Sequence, residues 1–241
     1  MQEPKHDKER QYFQVERFTY FTDAVFAISI TLLIIEIKIP TLDNPTDKLL
    51  WHVLSGMGLK FLGFVISFGI VGHYWSVHHR IFGYVKKNST TLIWLNLAFL
   101  LTVVTLPFTA GLLGEYSNDT SIKIPYAVYT FNMCLTGLMN CWIWIYVSNP
   151  KRQMLTRQIS KSRIKLGVYR SLVIPLIFVF SLLVFFLSPF VGYCSLLLIP
   201  VILHWGMSGL EKKAERDENV ATKIIPKDTT VVKEEVKNNH S

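Results

Sequence analysis

The residues of this chain that could do chemistry cluster at the ends of apolar runs. Arg17 and Asp23 bracket the stretch Arg17-Phe-Thr-Tyr-Phe-Thr-Asp23, which leads into Ala24 to Ile35, a run that is otherwise almost entirely apolar. A second group, His73-Tyr74-Trp75-Ser76-Val77-His78-His79-Arg80, closes the next apolar run, and Asn96 follows Trp94 at the start of the third. A carboxylate with several imidazoles could relay protons, and histidines in this spacing could ligate a metal. A charge at the edge of a spanning segment costs several kcal/mol unless it is paired or faces protein or water, so each is a functional hypothesis by default.

The elements that must position these groups are membrane helices. Half of the 241 residues are hydrophobic and 13% are aromatic, and the mean hydropathy is +0.32. That is too apolar for a soluble domain of this size. A helical span needs roughly 20 residues. Six runs qualify, at about 18–39, 52–75, 92–114, 125–147, 168–188 and 190–208. The fold class expected is all-α, a polytopic membrane protein with six transmembrane helices and no re-entrant pore loop. It divides into a polar N-terminal arm (1–16), the membrane domain (17–210) and a Lys- and Glu-rich tail (211–241) that reads as disordered. No cleavable signal peptide is expected.

Basic residues set the orientation. The loop between spans 4 and 5 holds Lys151, Arg152, Arg157, Lys161, Arg163, Lys165 and Arg170 without an acid, and that between spans 2 and 3 holds Arg80, Lys86 and Lys87. Both are expected on the cytoplasmic side, and with six spans both termini join them. This asymmetry also accounts for the net charge of +8, so no nucleic-acid partner is expected. Cys134, Cys141 and Cys194 lie inside spans, in neither a disulfide framework nor a metal spacing.

Arg17 alone reads as an interface anchor whose charge snorkels to the headgroups. Asp23 is too short to do so and must find a donor inside the bundle. The run from His73 to Arg80 at the end of span 2, with Trp94 and Asn96 of span 3, offers candidates at its depth, because spans 1 and 3 start where span 2 ends. Lys60, near the opposite end of span 2, reads as a structural, snorkelling residue. The three histidines of span 2 leave too few ligands for a di-iron site, so neither metal nor cofactor is expected, and no catalytic constellation points to an enzyme. Val191-Gly192-Tyr193 echoes carbonyl-lined ion filters, yet no re-entrant helix precedes it. It reads as a tight outer turn.

At about 100° per residue, Phe21, Ile28, Leu32, Ile35 and Ile39 fall on one stripe of the first helix, with Asp23 roughly opposite. Spacing alone is equally compatible with a lipid-facing or core helix.

The segment Arg17-x-x-x-Phe21-Thr22-Asp23, continuing as Ala-Val-Phe-Ala-Ile-Ser-Ile-Thr-Leu-Leu, resembles the first helix of the potassium channels related to transmembrane protein 175 of endosomes and lysosomes. The similarity continues through Gly72 to His79 and from Trp94 to Tyr116, and the length resembles the single-repeat prokaryotic members. Thr22 stands where that signature most often has Ser and keeps the hydroxyl.

The resemblance implies a leak-type, potassium-selective homotetramer in a prokaryotic plasma membrane, with K⁺ as permeant ion and each first helix lining the pore. It implies a hydrophobic gate at Ile28, continued by Leu32 and Ile35, with Thr31 beside it. It also implies that Arg17, Phe21, Thr22 and Asp23 form a polar lock that fixes the inner end of helix 1 against helices 2 and 3, for which His73, Trp75, His79 and Asn96 are the candidate partners. A proton-coupled secondary transporter using Asp23 and the nearby histidines is the alternative.

Overall fold

In a lipid-facing chain every backbone polar group must be satisfied within the segment, and the described residues answer with helices. The structure, a computed structural model, describes residues 5–117, 119, 121–156 and 159–224. The elements are α1 (Lys5–Ile35), α2 (Asp47–Gly56), α3 (Gly58–Phe82), α4 (Thr90–Val104), α5 (Leu106–Glu115), α6 (Ile124–Ser148), a 3₁₀ turn (Pro150–Arg152), α7 (Lys161–Leu187), α8 (Pro189–Ser195), α9 (Leu198–Val201), a π-type stretch (Ile202–Gly206) and α10 (Met207–Ile224). Among the described residues there is no strand, only one antiparallel bridge between Val85 and Leu155. It ties together the loops after α3 and α6, where Lys86 N–H donates to Met154 O at 2.9 Å and Thr156 N–H to Tyr84 O at 2.8 Å.

Four helices among the described residues are long and apolar enough to cross a membrane: Phe13–Ile35, Gly58–Phe82, Thr90–Glu115 and Lys161–Leu187. The protein is therefore an integral membrane protein. The expected fourth run is α6, whose 25 residues would extend about 37 Å but carry Thr130, Asn132, Thr136 and Asn140, all buried. The expected sixth is broken up. Ser188 ends α7, Pro189 opens α8, and Pro200 cannot donate to the carbonyl one turn back, so the chain passes through α9 and a π-type stretch before α10.

Other boundaries also move. The run expected over 52–75 divides at Met57, between Gly56 and Gly58, into α2 and α3, and α3 continues to Phe82. The third run divides at Thr105 because Pro107 has no N–H to give Val103. Asn132 of α6 braces this break: Thr105 Oγ1 donates to its carbonyl and its amide donates to Thr109 Oγ1, each at 3.2 Å. Val191-Gly192-Tyr193 is helical within α8 rather than a turn. The tail expected to be disordered from 211 continues as α10 to Ile224, while 225–241 and residues 1–4 of the N-terminal arm lie outside the described residues.

The bundle is built on α6 and α7, its most extensive pair, with α4 on α6 and α1 on α3. Gly137 lets the first pair close up, since a Cβ there would sit 2.2 Å from Pro175 Cγ and 2.6 Å from Ser171 O.

Candidate functional site

Helix α1 has two unlike faces. Thr22, Phe26, Ser29 and Leu33, spaced by four, three and four, are at most 2% exposed and face the bundle. Phe21, Ile28, Leu32 and Ile35 are 40–69% exposed in the single chain, and Thr31 beside them is also bare, its hydroxyl donating back to Ile28 O at 2.8 Å. The inward face holds both a hydroxyl ladder and a large aromatic; the outward face is a continuous apolar strip.

The inward face is tied down by a hydrogen-bonded chain across three helices. Thr22 Oγ1 donates to Phe18 O at 3.1 Å. Asn96 of α4 donates through Nδ2 to Thr22 Oγ1 at 2.9 Å. The Asn96 carbonyl oxygen then accepts from His78 Nε2 of α3 at 2.6 Å, so Nε2 carries the proton in this arrangement. Thr22, His78 and Asn96 are all fully buried.

Aromatic rings enclose this chain. His78 stacks on Phe82 at 4.4 Å and on Phe99 at 5.2 Å, and Phe26 lies 6.1 Å away. Offset stacks of this kind add about 0.5–1.5 kcal/mol beyond burial. His78 Nδ1 has no partner among the described residues.

Beside the buried chain, Trp75 of α3 donates its Nε1–H to Asp23 Oδ1 at 2.9 Å, and His79 leans on Trp75 with ring centroids 5.5 Å apart. Asp23 and Trp75 thus meet across α1 and α3 at the bundle's edge. Arg17 stands apart: its guanidinium lies over the Phe13 ring, 5.9 Å from the centroid, and among the described residues it forms no ion pair with Asp23. His73 turns the other way, where Nε2 meets the Arg170 carbonyl of α7 at 3.2 Å. Of the four partners expected for the signature, Trp75 and Asn96 touch it directly, His79 touches Trp75, and His73 belongs to the α3–α7 contact.

Sequence reasoning passed over His78 as a partner of the signature. Its signal was present: His78 follows Val71 by seven and Tyr74 by four, both fully buried, which puts all three on one helical stripe. At the far end, Lys60 reaches Glu115 at 3.1 Å instead of standing free. Among the described residues no group of three or more His, Cys, Asp or Glu could hold a metal ion.

Known proteins are similar to this chain over the same segment. Residues 17–107 match the family profile described as "Endosomal/lysosomal potassium channel TMEM175". A potassium channel of Streptomyces collinus is 36% identical over 133 residues, 55% of this chain and 64% of that protein. One of Chamaesiphon minutus is 30% identical over 136 residues, 56% of this chain and 67% of that protein. The human protein named endosomal/lysosomal proton channel TMEM175 is 27% identical over 194 residues, 78% of this chain and 37% of its own length. The chain thus spans less than two thirds of the Streptomyces relative and far less of the human one. In fold it is similar to a crystal structure of a lysosomal potassium-selective channel TMEM175 homologue from Chamaesiphon minutus, with a TM-score of 0.65 at 22% identity, covering 81% of this chain and 98% of that one. These matches identify the chain as a member of the TMEM175 family, a family of ion channels rather than enzymes.

Proposed function

We propose that this chain forms a potassium-selective, leak-type channel in which α1 from each of four copies lines the permeation path. The observation that carries the reading is the division of α1: one face buried and hydrogen-bonded through Thr22, the other a bare strip of Phe21, Ile28, Leu32 and Ile35. Four such strips facing one axis enclose a path with apolar walls. Bacterial relatives named potassium channels support the choice of ion.

An apolar constriction at Ile28, with Leu32 and Ile35 one and two turns beyond it, gates by dewetting. When narrow it holds no water and no ion. Slightly wider, it passes an ion that sheds part of its hydration shell, which costs Na⁺ more than K⁺ because the Na⁺ shell is tighter. Without carbonyl ligands to replace the lost water, the preference for K⁺ is modest. Thr31 offers a hydroxyl beside the constriction.

The role of Thr22 and Asp23 follows from where the load falls: widening the constriction requires α1 to shift against α3 and α4. Asp23 with Trp75, and Thr22 with Asn96 and His78, fix the inner end of α1 and so set the resting bore. Arg17 and Phe21 extend this lock toward the neighbouring copy or the headgroups. In this reading the chain crosses the membrane six times, with α6 and the broken segment of α8, α9 and the π-type stretch as the passes beyond the four most apolar helices. The basic loops and both termini lie in the cytoplasm of a prokaryotic cell.

The test is K⁺ against Na⁺ flux in liposomes that contain the purified protein, with its oligomer sized in detergent. Flux above empty vesicles, with K⁺ preferred and four copies per particle, is the expected result; no flux above empty vesicles overturns the proposal. Proton permeation is the second reading, favoured by the name of the human relative and by the buried His78 beside Asn96. A pH-sensitive dye in the same vesicles separates the two. Saturating flux coupled to a pH gradient would instead indicate a proton-coupled transporter.

A further inference from the structure

Thr22 and Asp23 tie one end of the bare strip of α1 to the bundle. The other end is held differently. Glu36, the first residue past α1, lies across α5 at Gly111: a Cβ there would sit 2.9 Å from Glu36 Cδ and 3.1 Å from Glu36 Cβ. The Glu36 side chain thus takes the space that a side chain at 111 would fill. Glycine in a helix interior is less favourable than alanine, and the backbone does not ask for it here, since Gly111 is an ordinary helical residue without a positive φ. What the missing side chain provides is room for Glu36.

The next turn of α5 is built in the same way. Lys60 of α3 passes beside Gly114, its Cγ 3.9 Å from where a Cβ would stand, and ends on Glu115 at 3.1 Å. Glu36 and Lys60 line one crevice with Leu33, Phe64 and Ala110. Two long side chains, one from α1 and one from α3, therefore cross the same small-residue face of α5. Lys60 is held there by charge. Glu36 has no ion pair among the described residues, so its hold on α5 is one of shape: an exposed residue whose side chain drops into a notch left open by glycine.

We propose that Glu36 is a positioning residue for the pore, seating the outer end of α1 in the Gly111 notch. The proposal rests on the reading that α1 lines the permeation path. Thr22 and Glu36 lie about 21 Å apart along the helix, with Ile28, Leu32 and Ile35 between them. A helix held at both ends keeps its bare strip at a fixed distance from the axis; held only at the inner end, it swings about Thr22. The swing grows with distance from the pivot, so Ile35 moves more than Ile28. Release of Glu36 widens the outer part of the constriction, and ions pass with more of their hydration shells.

The test compares K⁺ and Na⁺ flux in liposomes for the natural chain, Gly111→Ala, Glu36→Ala and the double variant, with Glu36→Gln and Gly114→Ala as controls. The methyl of G111A meets the flexible end of the Glu36 side chain, which gives way without unfolding α5. G111A and E36A each lower the K⁺/Na⁺ ratio severalfold, and the double variant lowers it no further than either alone, because both break one contact. E36Q keeps the length and shape, and the methyl of G114A has Lys60 Cγ no nearer than 3.9 Å, so both keep the natural ratio. A purely structural role would lower K⁺ and Na⁺ flux together and leave the ratio alone. That result overturns the proposal, as do single effects that add in the double variant. A natural chain without flux overturns the pore reading and the seat with it; natural flux with unchanged ratios in the single variants overturns the seat alone. Should E36A fail to fold, the ratio of G111A against that of G114A decides.

Discussion

Asn96 on α4 gives its amide to Thr22 on α1 at 2.9 Å, and its own carbonyl is taken by His78 at 2.6 Å. One side chain therefore satisfies two buried polar groups from two other helices. Removing it leaves His78 Nε2–H without an acceptor and Thr22 Oγ1 without a donor, although the Thr22 hydroxyl keeps Phe18 O; a stranded buried donor or acceptor costs about 1–3 kcal/mol.

Asn96→Ala is expected to destabilise the protein by about 2–3 kcal/mol, the cost of leaving those groups unsatisfied. Thermal unfolding in detergent should fall by about 4–10 °C for a chain of this length. An unchanged midpoint would mean that water replaces the amide.

Trp75 and Asp23 should be energetically coupled across α1 and α3. In a double-mutant cycle with Trp75→Phe and Asp23→Asn, the two changes together should cost less than their sum by about 0.5–1.5 kcal/mol. Strict additivity would show that the 2.9 Å contact contributes nothing.

Ile28→Asn places an amide on the bare strip of α1. Water then enters the narrowest point, ions keep more of their shells, and the K⁺/Na⁺ permeability ratio should drop severalfold toward unity in liposome flux. A ratio equal to that of the natural chain removes Ile28 from the constriction.

Gly137→Ala should be far more damaging than Gly69→Ala. At position 137 the new methyl would meet Pro175, Ser171 and the Tyr74 hydroxyl, all within 2.9 Å, whereas at 69 nothing lies within 4 Å. Overpacking of this kind costs about 1–3 kcal/mol, while Ala for Gly in an open helical position gains about 0.5–1 kcal/mol. Equal unfolding midpoints for the two variants would contradict the close approach of α6 and α7.

The membrane character and the all-helical class were legible because they depend on quantities any stretch of sequence carries: mean hydropathy and run length, with the backbone forced to satisfy itself in lipid. The signature at 17–23 was legible for the same local reason, since a charge beside an apolar run stands out wherever the helix packs. The break-up of the sixth expected run was not, because Pro189 and Pro200 interrupt the helix without lowering the hydropathy that marks a span. Nor was the helical continuation of 211–224: its charges look disordered in isolation, and Glu211 and Asp217 find their partners on α7 only in the fold.

The sequence by itself determined the angles between side chains on one helix. His73 and His78 are five residues apart and so point about 140° away from each other, which means that only one of them can meet α1 and α4. Which one does so is a matter of how α3 is rotated about its axis. That rotation is fixed by burying Val71, Tyr74 and Ile81 against the other helices, and only the tertiary structure decides it. The result sends His78 to Asn96 and Thr22, and His73 to Arg170.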